Sequence, residues 1–195
     1  MTTHEPTQRA HGHRSATGVG WMLPLYDPLT LVLGIPGVHR RVLERAAVRP
    51  GEDVLDIGCG TGGLTLLAKQ TEPAARVVGL DSDAVALARA RAKARSRGLD
   101  VAFDVGSSAS LPYPDGSLDR VLSAFMVHHL AGDERASTLS EARRVLRPDG
   151  SLHVVDFGRG ADLSRMIQDA GFSAGRTSQG TVLGAVPVTI VDAHV

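Results

Sequence analysis

The sequence has a single cysteine among its 195 residues, Cys59. One thiol cannot form an internal disulfide or a site with several thiolate ligands, which excludes a disulfide-stapled secreted module and a cysteine-rich zinc module. No other cluster of metal-ligating residues is visible in the sequence, so we expect no metal. The absence of cysteine pairs fits a reducing compartment, and we expect a cytoplasmic protein.

Net charge is also absent, because 21 Lys and Arg residues balance 21 Asp and Glu residues. Without an excess of basic residues, the chain has no field that would draw it to nucleic acid or to an anionic membrane surface. We therefore expect a small-molecule partner and no nucleic-acid partner. A homodimer is compatible with the sequence, which does not determine the oligomeric state.

The sequence has no uninterrupted hydrophobic run of membrane-spanning length. Residues 21–38 carry one charge, but Pro24, Pro28 and Pro36 divide them. Prolines leave backbone hydrogen bonds broken, which lipid does not tolerate, so we expect no stable membrane insertion and interpret the run as an apolar lid. The polar N-terminus lacks an apolar run behind a basic cap and is not typical of a secretory signal.

Apolar, strand-like runs alternate with helix-like runs along most of the chain. Parallel strands joined by helical crossovers place helices on both faces of one sheet, so the alternation predicts an α/β, Rossmann-like, doubly wound fold. The predicted strands are residues 54–57, 76–81, 101–105, 119–125 and 152–157, and the predicted helices are residues 40–47, 64–70, 84–97, 134–146 and 162–170.

Two further strand-like runs, residues 172–178 and 182–191, follow near the C-terminus. The link between them, residues 179–181, is long enough for a hairpin but too short for a parallel crossover. The sheet is therefore predicted to be mostly parallel with one antiparallel strand near the C-terminus. The predicted organisation is a disordered tail over residues 1–18, an N-terminal lid or helical segment over 19–48, and one domain over 49–195.

A glycine-rich loop follows the first predicted strand. Residues 58–63 read Gly-Cys-Gly-Thr-Gly-Gly and match G-x-G-x-x-G, with Asp81 lying 18 positions beyond Gly63, roughly as in dinucleotide-binding proteins. Asp56 favours another ligand, because a carboxylate beside a helix N-terminus would repel a pyrophosphate. A cationic, phosphate-free ligand such as S-adenosylmethionine, with its amino group and sulfonium, fits the loop better.

Four segments, taken together, resemble a known family: VLDIGCGTGG, GLDSD, LPYPDGSLDRVLSAFMVHHL and RRVLRPDGSLHVVDF, which begin at residues 54, 79, 111 and 143. They are similar to the class I S-adenosylmethionine-dependent methyltransferases, specifically the type 11 branch that includes the ubiquinone and menaquinone biosynthesis enzymes. The resemblance implies that residues 49–195 form a methyltransferase domain, with S-adenosylmethionine as methyl donor and S-adenosylhomocysteine as product.

The resemblance also implies which residues surround the methionine part of the cofactor. The backbone of Gly58, Cys59 and Gly60 would lie close to it, since a glycine-rich loop admits a ligand to the main chain. Asp56 would join a polar network near the amino group, and Ala124 would line the same side of the pocket. The glycines could alternatively serve only a tight strand-to-helix turn.

For the ribose and adenine, the resemblance implies a second set of residues. Asp81 would accept hydrogen bonds from the ribose hydroxyls, although a carboxylate here could instead cap the next helix. Ser82 would lie against the adenine. Similar proteins carry an aspartate where this chain has Ser107, so adenine contacts would come from the Ser107 hydroxyl or the backbone of Ser108.

The acceptor side is predicted from the lid and the end of the fourth strand. The resemblance implies that Tyr26, on the lid, would close over the sulfonium of the cofactor by cation–π attraction, the alternative being a core aromatic. His128 and His129 are candidate catalytic bases, because a neutral imidazole takes a proton from a hydroxyl or an acidic carbon. The alternative is a loop pair that holds backbone groups. Asp156 would either face the substrate or cap the next turn.

These observations predict a methyltransferase that moves a methyl group by in-line displacement to a small acceptor, hydrophobic or aromatic because the lid is apolar. Two alternatives stay open. A non-catalytic module that binds S-adenosylmethionine is kept open by Ser107. An NAD-dependent oxidoreductase is disfavoured by Asp56 and by the lack of a catalytic Tyr-x-x-x-Lys motif.

Overall fold

The computed structural model describes residues 33–158 and 161–195. The predicted tail, most of the predicted lid and Tyr26 lie outside the described residues. The helices are α1 (Ile35–Ala46), α2 (Gly63–Thr71), α3 (Ala84–Ser96), α4 (Gly132–Val145) and α5 (Ala161–Asp169), with a 3-10 turn at Val127–His129. The strands are β1 (Asp53–Ile57), β2 (Arg76–Asp81), β3 (Ala102–Val105), β4 (Leu118–Ala124), β5 (Leu146–Phe157), β6 (Ser173–Val182) and β7 (Val186–His194).

All seven strands form one sheet in the order β3-β2-β1-β4-β5-β7-β6. Strands β1 to β5 pair in parallel with their neighbours, and β7 runs antiparallel to both β5 and β6. The predicted α/β, Rossmann-like sheet with one antiparallel strand near the C-terminus is therefore confirmed. Because the parallel strands share one direction, their carboxyl ends lie along the same edge, which is where doubly wound sheets bind ligands.

The sheet is covered on both faces, and its central strands are buried on both sides. Leu55 and Val121 pack on the face covered by α4 and α5, whereas Val54 and Leu122 pack towards α1 and α2. All four side chains are fully buried. Continuous apolar runs, rather than alternating ones, are what a parallel sheet between two helical layers requires.

Helix α1 begins five residues before the predicted start at residue 40. Pro36 lies in its first turn, where the missing N–H costs nothing and the fixed φ suits a helix. The sequence alone favours the interpretation of this proline as a break in an apolar lid. In α1, Ile35, Val38 and Val42 are buried against the sheet, so the apolar residues in the described part of this segment belong to the core.

The predicted link at residues 179–181 is wrong. Strand β6 continues through these residues to Val182, and the hairpin turns at Leu183 and Gly184, both of which have positive φ (53° and 68°). Two central residues with positive φ are typical of the tight turns that match strand twist. Gly180 stays in the strand, where a Cβ would lie 3.0 Å from a guanidinium nitrogen of Arg41.

Strand β5 also begins earlier than predicted, at Leu146 rather than residue 152. Leu146 pairs with Leu118, and a register shift separates this pair from the regular pairing that resumes at Arg120 and Ser151. Residues 147–151, between the predicted helix and the predicted strand, thus lie in an irregular extension of the strand. The bounds of the other parallel strands and of helices α2 to α5 differ from the prediction by at most two residues.

Candidate active site

The glycine-rich loop connects β1 to α2 at the carboxyl edge of the sheet. Gly58, Gly60 and Gly62 all have positive φ (69°, 53° and 80°), a conformation that glycine adopts without strain. The N–H groups of Gly58 and Cys59 donate to the Leu80 carbonyl at 2.8 and 3.1 Å, which fastens the loop to β2. A Cβ on Gly60 would meet no atom within 4 Å, so a ligand can approach the main chain there.

Asp56 lies beneath this loop and is almost completely buried, with 1% exposure. Its carboxylate accepts a hydrogen bond of 2.6 Å from the Thr65 hydroxyl on α2. Burial raises the pKa of Asp56 to about 7; the Thr65 bond lowers it, and the charge of Asp81 adds to the rise. A carboxylate in this state favours a nearby cation, because a cation stabilises the ionised form.

Asp81 is the last residue of β2, and its carboxylate connects this strand to the glycine-rich loop and to the start of α3. Its Oδ2 accepts the Gly60 N–H at 2.7 Å and its Oδ1 accepts the Asp83 N–H at 2.8 Å. Each carboxylate oxygen has two lone pairs, so Asp81 can still accept bonds from a ligand. Helix α3 is capped by Asp83, which accepts the N–H groups of Val85 and Ala86, and not by Asp81.

The loop after β3 lies beside Asp81, because the Gly106 N–H donates to the Asp81 carbonyl at 3.0 Å. In this loop the Ser107 hydroxyl accepts the Ala109 N–H at 3.2 Å, and its own proton stays available for donation. The Ser108 hydroxyl is hydrogen-bonded to Thr138 on α4 at 2.8 Å, so this side chain is used within the protein.

Two further residues on the predicted adenine side differ in their surroundings. The Ser82 side chain is exposed. Asp104, three residues before Ser107, accepts a hydrogen bond from the Tyr113 hydroxyl at 2.9 Å. Asp104 is therefore engaged by Tyr113 and does not stand in for the aspartate that similar proteins carry at the position of Ser107.

Cys59 packs its side chain inside the protein. A Cβ on Gly79 of β2 would lie 2.8 Å from the Cys59 sulfur, so the glycine-rich loop packs closely against β2 at this point. Burial raises the pKa of the thiol, with the carboxylates of Asp56 and Asp81 acting in the same direction. The sulfur is therefore a neutral packing group.

His128 and Asp156 form a pair at the ends of β4 and β5. The His128 Nδ1 lies 2.6 Å from Asp156 Oδ1, and the His128 main-chain N–H donates to Oδ2 at 2.9 Å. The Phe157 N–H donates to Oδ1 at 2.7 Å, and Asp156 is 3% exposed. A carboxylate that holds Nδ1–H leaves Nε2 as the acceptor of the neutral imidazole.

Aromatic rings surround this pair. The rings of His128 and His129 lie 3.8 Å apart, and Phe157 approaches His128 edge-on at 5.1 Å. Phe125 has a positive φ of 56°, and its ring centroid lies 4.8 Å from that of Phe157 and 6.4 Å from that of His39, tilted by 40° to each ring. Partial burial and the neighbouring His128 lower the pKa of His129.

His39, on α1, is the next ring in this aromatic group, beside Phe125. A Cβ on Gly63, at the start of α2, would lie 3.2 Å from its imidazole ring, so His39 lies against the glycine-rich loop. Burial lowers its pKa to about 4, and the ring is therefore neutral at physiological pH.

The structure thus brings most of the predicted residues to one edge. Asp56, Gly58, Cys59, Gly60, Asp81, Ser82, Ser107, Ser108, Ala124, His128 and His129 all lie on or directly after the carboxyl ends of β1 to β4. Sequence reasoning missed the Thr65 bond, His39, and the pairing of Asp156 with His128. The strand order would have indicated the last of these, because β4 and β5 are neighbours.

The tight fit of the glycine-rich loop yields a prediction. A Cβ on Gly58 would overlap the Cγ atom of Met126 and would lie 2.9 Å from the Cβ atom of Met126. Because these two atoms are close to the Met126 main chain, they have little freedom to move away. We expect Gly58→Ala to lower the free energy of unfolding by more than Gly98→Ala, measured by denaturant unfolding. Gly98 also has positive φ (62°) but open space around it, so it reports the backbone cost alone, about 1–2 kcal/mol. Equal losses would show that the Met126 contact is unimportant.

Comparisons with known proteins bear on this site. Residues 54–150 match the family described as "Methyltransferase domain". The chain is 40% identical over 137 residues to the demethylmenaquinone methyltransferase of Thermus thermophilus, covering 69% of this chain and 61% of that protein. It is 39% identical over 128 residues to the ubiquinone/menaquinone biosynthesis C-methyltransferase of Bordetella avium, covering 63% of this chain and 49% of that protein.

Solved structures share the fold. An S-adenosylmethionine-dependent methyltransferase from Aquifex aeolicus superimposes with a TM-score of 0.74 at 24% identity, covering 90% of this chain and 97% of that one. The cyclase SpnF superimposes with a TM-score of 0.78 at 21% identity, covering 93% and 97%. The chain spans about half the length of the curated relatives that it matches. Its matched segment and its strand order show that it belongs to the class I S-adenosylmethionine-dependent methyltransferases.

Proposed function

We propose that this protein transfers a methyl group from S-adenosylmethionine to a small aromatic acceptor that carries an ionisable hydroxyl or carbon. The observation that carries this proposal is the His128–Asp156 pair, which stands among aromatic rings at the sheet edge where the glycine-rich loop and Asp81 lie. The names of the relatives support the acceptor class, since demethylmenaquinone and ubiquinone precursors are quinone-related rings. We infer a phenol-like or quinol-like ring.

The described residues fit S-adenosylmethionine. Asp56 and Asp81 supply negative charge beside a loop whose main chain is open at Gly60, which suits a cation without phosphates. Asp81 retains lone pairs for two hydroxyls of a ribose. When bound, the sulfonium supplies an electrophilic methyl group. Cys59 in this loop and His39 beside it are both neutral, so they place no competing positive charge next to the ligand.

On the acceptor side, His128 is the group that removes a proton. Asp156 fixes the imidazole with Nδ1 directed inwards, so Nε2 is left to accept the proton. A positioned base of this kind contributes roughly 10²–10⁴-fold to a rate. Phe125 and Phe157 offer faces and edges against which an aromatic ring can pack. Alignment of donor and acceptor supplies the larger share, about 7–11 kcal/mol in well-oriented reactions.

The setting of the reaction is part of the proposal. None of the helices in the described part of the chain is long and apolar enough to cross a membrane. The single cysteine supports a cytoplasmic location, and the balanced charge supports a small molecule rather than nucleic acid as partner.

The function as a whole is tested by calorimetric titration with S-adenosylmethionine, S-adenosylhomocysteine and NADH, followed by assays of S-adenosylhomocysteine formation with phenols and reduced quinones. We expect micromolar binding of the first two ligands and none of NADH. Binding without turnover on any ring would favour a non-catalytic module, and binding of NADH alone would favour an oxidoreductase.

The catalytic pair gives a specific prediction. We expect His128→Ala to lower kcat by about 10²–10⁴-fold, because the proton loses its acceptor, without changing the affinity for S-adenosylmethionine. Asp156→Asn should lower kcat by less and change its pH profile. His194→Gln, at the opposite edge of the sheet, is the control and should behave as wild type. Unchanged kcat in a folded His128→Ala variant would refute the assignment.

The ribose assignment is tested with Asp81→Asn. We expect the affinity for S-adenosylmethionine to fall at least about tenfold, the effect of losing charge-assisted hydrogen bonds of about 1.5–3 kcal/mol. Calorimetry measures this change, and Asp100→Asn, an exposed carboxylate beyond α3, serves as the matched control. An unchanged dissociation constant would mean that Asp81 serves only the loop.

The raised pKa of Asp56 predicts a pH-dependent affinity. Below about pH 7 the ligand-free protein holds a proton on Asp56, and a cationic ligand must displace it. We therefore expect the affinity for S-adenosylmethionine to rise as the pH increases from about 5 to 7, and to be flat in Asp56→Asn. Thr65→Val removes the bond that lowers the pKa, so the midpoint should move to higher pH. A flat wild-type profile would contradict this assignment.

A further inference from the structure

A second group of reactive side chains lies towards the amino ends of the parallel strands, away from the candidate active site. Ser151 and His153 are two positions apart on β5, so both side chains point to the same face of the sheet. Asp192, on β7, is paired with His153 across the antiparallel ladder. All three residues are buried, with exposures of 4%, 2% and 4%. None of them takes part in the proposed methyl transfer.

The hydrogen bonds within this group join a hydroxyl, an imidazole and a carboxylate in that order. The Ser151 hydroxyl lies 2.9 Å from His153 Nε2, and His153 Nδ1 lies 3.1 Å from Asp192 Oδ1. Because an ionised carboxylate only accepts hydrogen bonds, Nδ1 carries the ring proton and Nε2 accepts the hydroxyl proton of Ser151. This arrangement activates a serine as a nucleophile, and it is recognised by geometry rather than by position along the chain.

The surrounding charges keep the imidazole and the carboxylate in the states that this role requires. Burial lowers the pKa of His153, with Arg120 and His194 acting in the same direction and Asp192 opposing them. The His153 ring is therefore neutral at pH 7. Burial by itself would raise the pKa of Asp192, but hydrogen bonds from His153 and Arg45 outweigh this effect and lower it. The carboxylate therefore stays ionised.

A cavity beside the three side chains distinguishes them from a network that only fills the core. The cavity has a volume of about 500 Å³ and is lined by all three, together with the guanidinium groups of Arg45 and Arg120. Arg120 donates one N–H group each to two main-chain carbonyls and to Glu52. A guanidinium has five N–H groups, so two remain for a negative charge that develops on a ligand in the cavity.

We propose that this cavity is a second active site, which hydrolyses small carboxylic esters with Ser151 as the nucleophile. The Ser151 Oγ forms a bond to the carbonyl carbon while its proton passes to His153 Nε2, and Arg120 binds the oxyanion. The ester C–O bond then breaks, and the leaving alkoxide takes the proton from His153. Water hydrolyses the acyl ester on Ser151 by the same steps, which releases a carboxylic acid and regenerates the serine.

The first experiment captures the serine covalently. The protein is treated with diisopropyl fluorophosphate, a small reagent that esterifies activated serines with loss of fluoride, and mass spectrometry locates the modified residue. We expect one diisopropylphosphoryl group on Ser151 and none in Ser151→Ala. His153→Gln should slow the labelling by about 10²–10⁴-fold, because Ser151 loses its base. Ser173→Ala, which removes an exposed hydroxyl bonded to the His194 carbonyl, is the matched control and should be labelled as wild type is.

The second experiment measures hydrolysis of 4-nitrophenyl acetate. We expect the rate to fall to the uncatalysed background in Ser151→Ala, while an unchanged affinity for S-adenosylmethionine shows that this variant is folded. The wild-type rate should rise with pH through a midpoint below 6.5 and be level above pH 7, because the base must be neutral and the pKa of His153 is lowered from 6.5.

The proposal is overturned if the reagent leaves Ser151 unmodified, or if wild type and Ser151→Ala hydrolyse the ester at the same rate. Failure of the proposed function is a separate result. It appears as absent methyl transfer to any ring, whereas the labelling of Ser151 and the hydrolysis of the ester persist, since His128 and Asp81 take no part in them.

Discussion

Two carboxylates at the ends of neighbouring parallel strands set the electrostatics on which the site depends. Asp56 is buried beneath the glycine-rich loop, Asp81 ends the next strand, and the charge of Asp81 raises the pKa of Asp56. Because the pKa of Asp56 is higher in the folded protein than its ordinary value of 3.8, its contribution to the free energy of unfolding is lost as the pH rises towards 7. The fold thus carries an electrostatic cost that a cationic ligand offsets.

The loop above these carboxylates is held from both sides. Main-chain bonds to Leu80 and the Asp81 bond to Gly60 fasten it to β2, while Met126 fills the space beside Gly58. The close packing allows no Cβ at Gly58, and the open space at Gly60 leaves the main chain accessible. A rigid loop with one open position is a preorganised surface, which lowers the entropic cost of binding.

The acceptor side is built from longer-range contacts. His128 and Asp156 are far apart in sequence, yet they meet because β4 and β5 are adjacent and end at the same level. Asp156 binds the ring, the main chain of His128 and the main chain of Phe157, so one buried carboxylate sets the orientation of the whole corner. The surrounding rings extend this corner outwards, and Phe157, Leu183 and Val186 stay exposed towards the hairpin of β6 and β7.

The sequence alone determined the order of strands and helices, the glycine-rich loop, and the placement of Asp56 and Asp81, because these features depend on local hydrophobic runs, on glycine and on short spacings along the chain. It misplaced the start of α1, since the helix-compatible first-turn Pro36 reads like a break, and it misplaced the final turn. Only the tertiary structure decided that Thr65 supports Asp56, that Asp156 holds His128 and that Leu183 and Val186 stay exposed beside Phe157. These contacts join distant residues, and strand pairing and packing, which no local pattern encodes, bring them together.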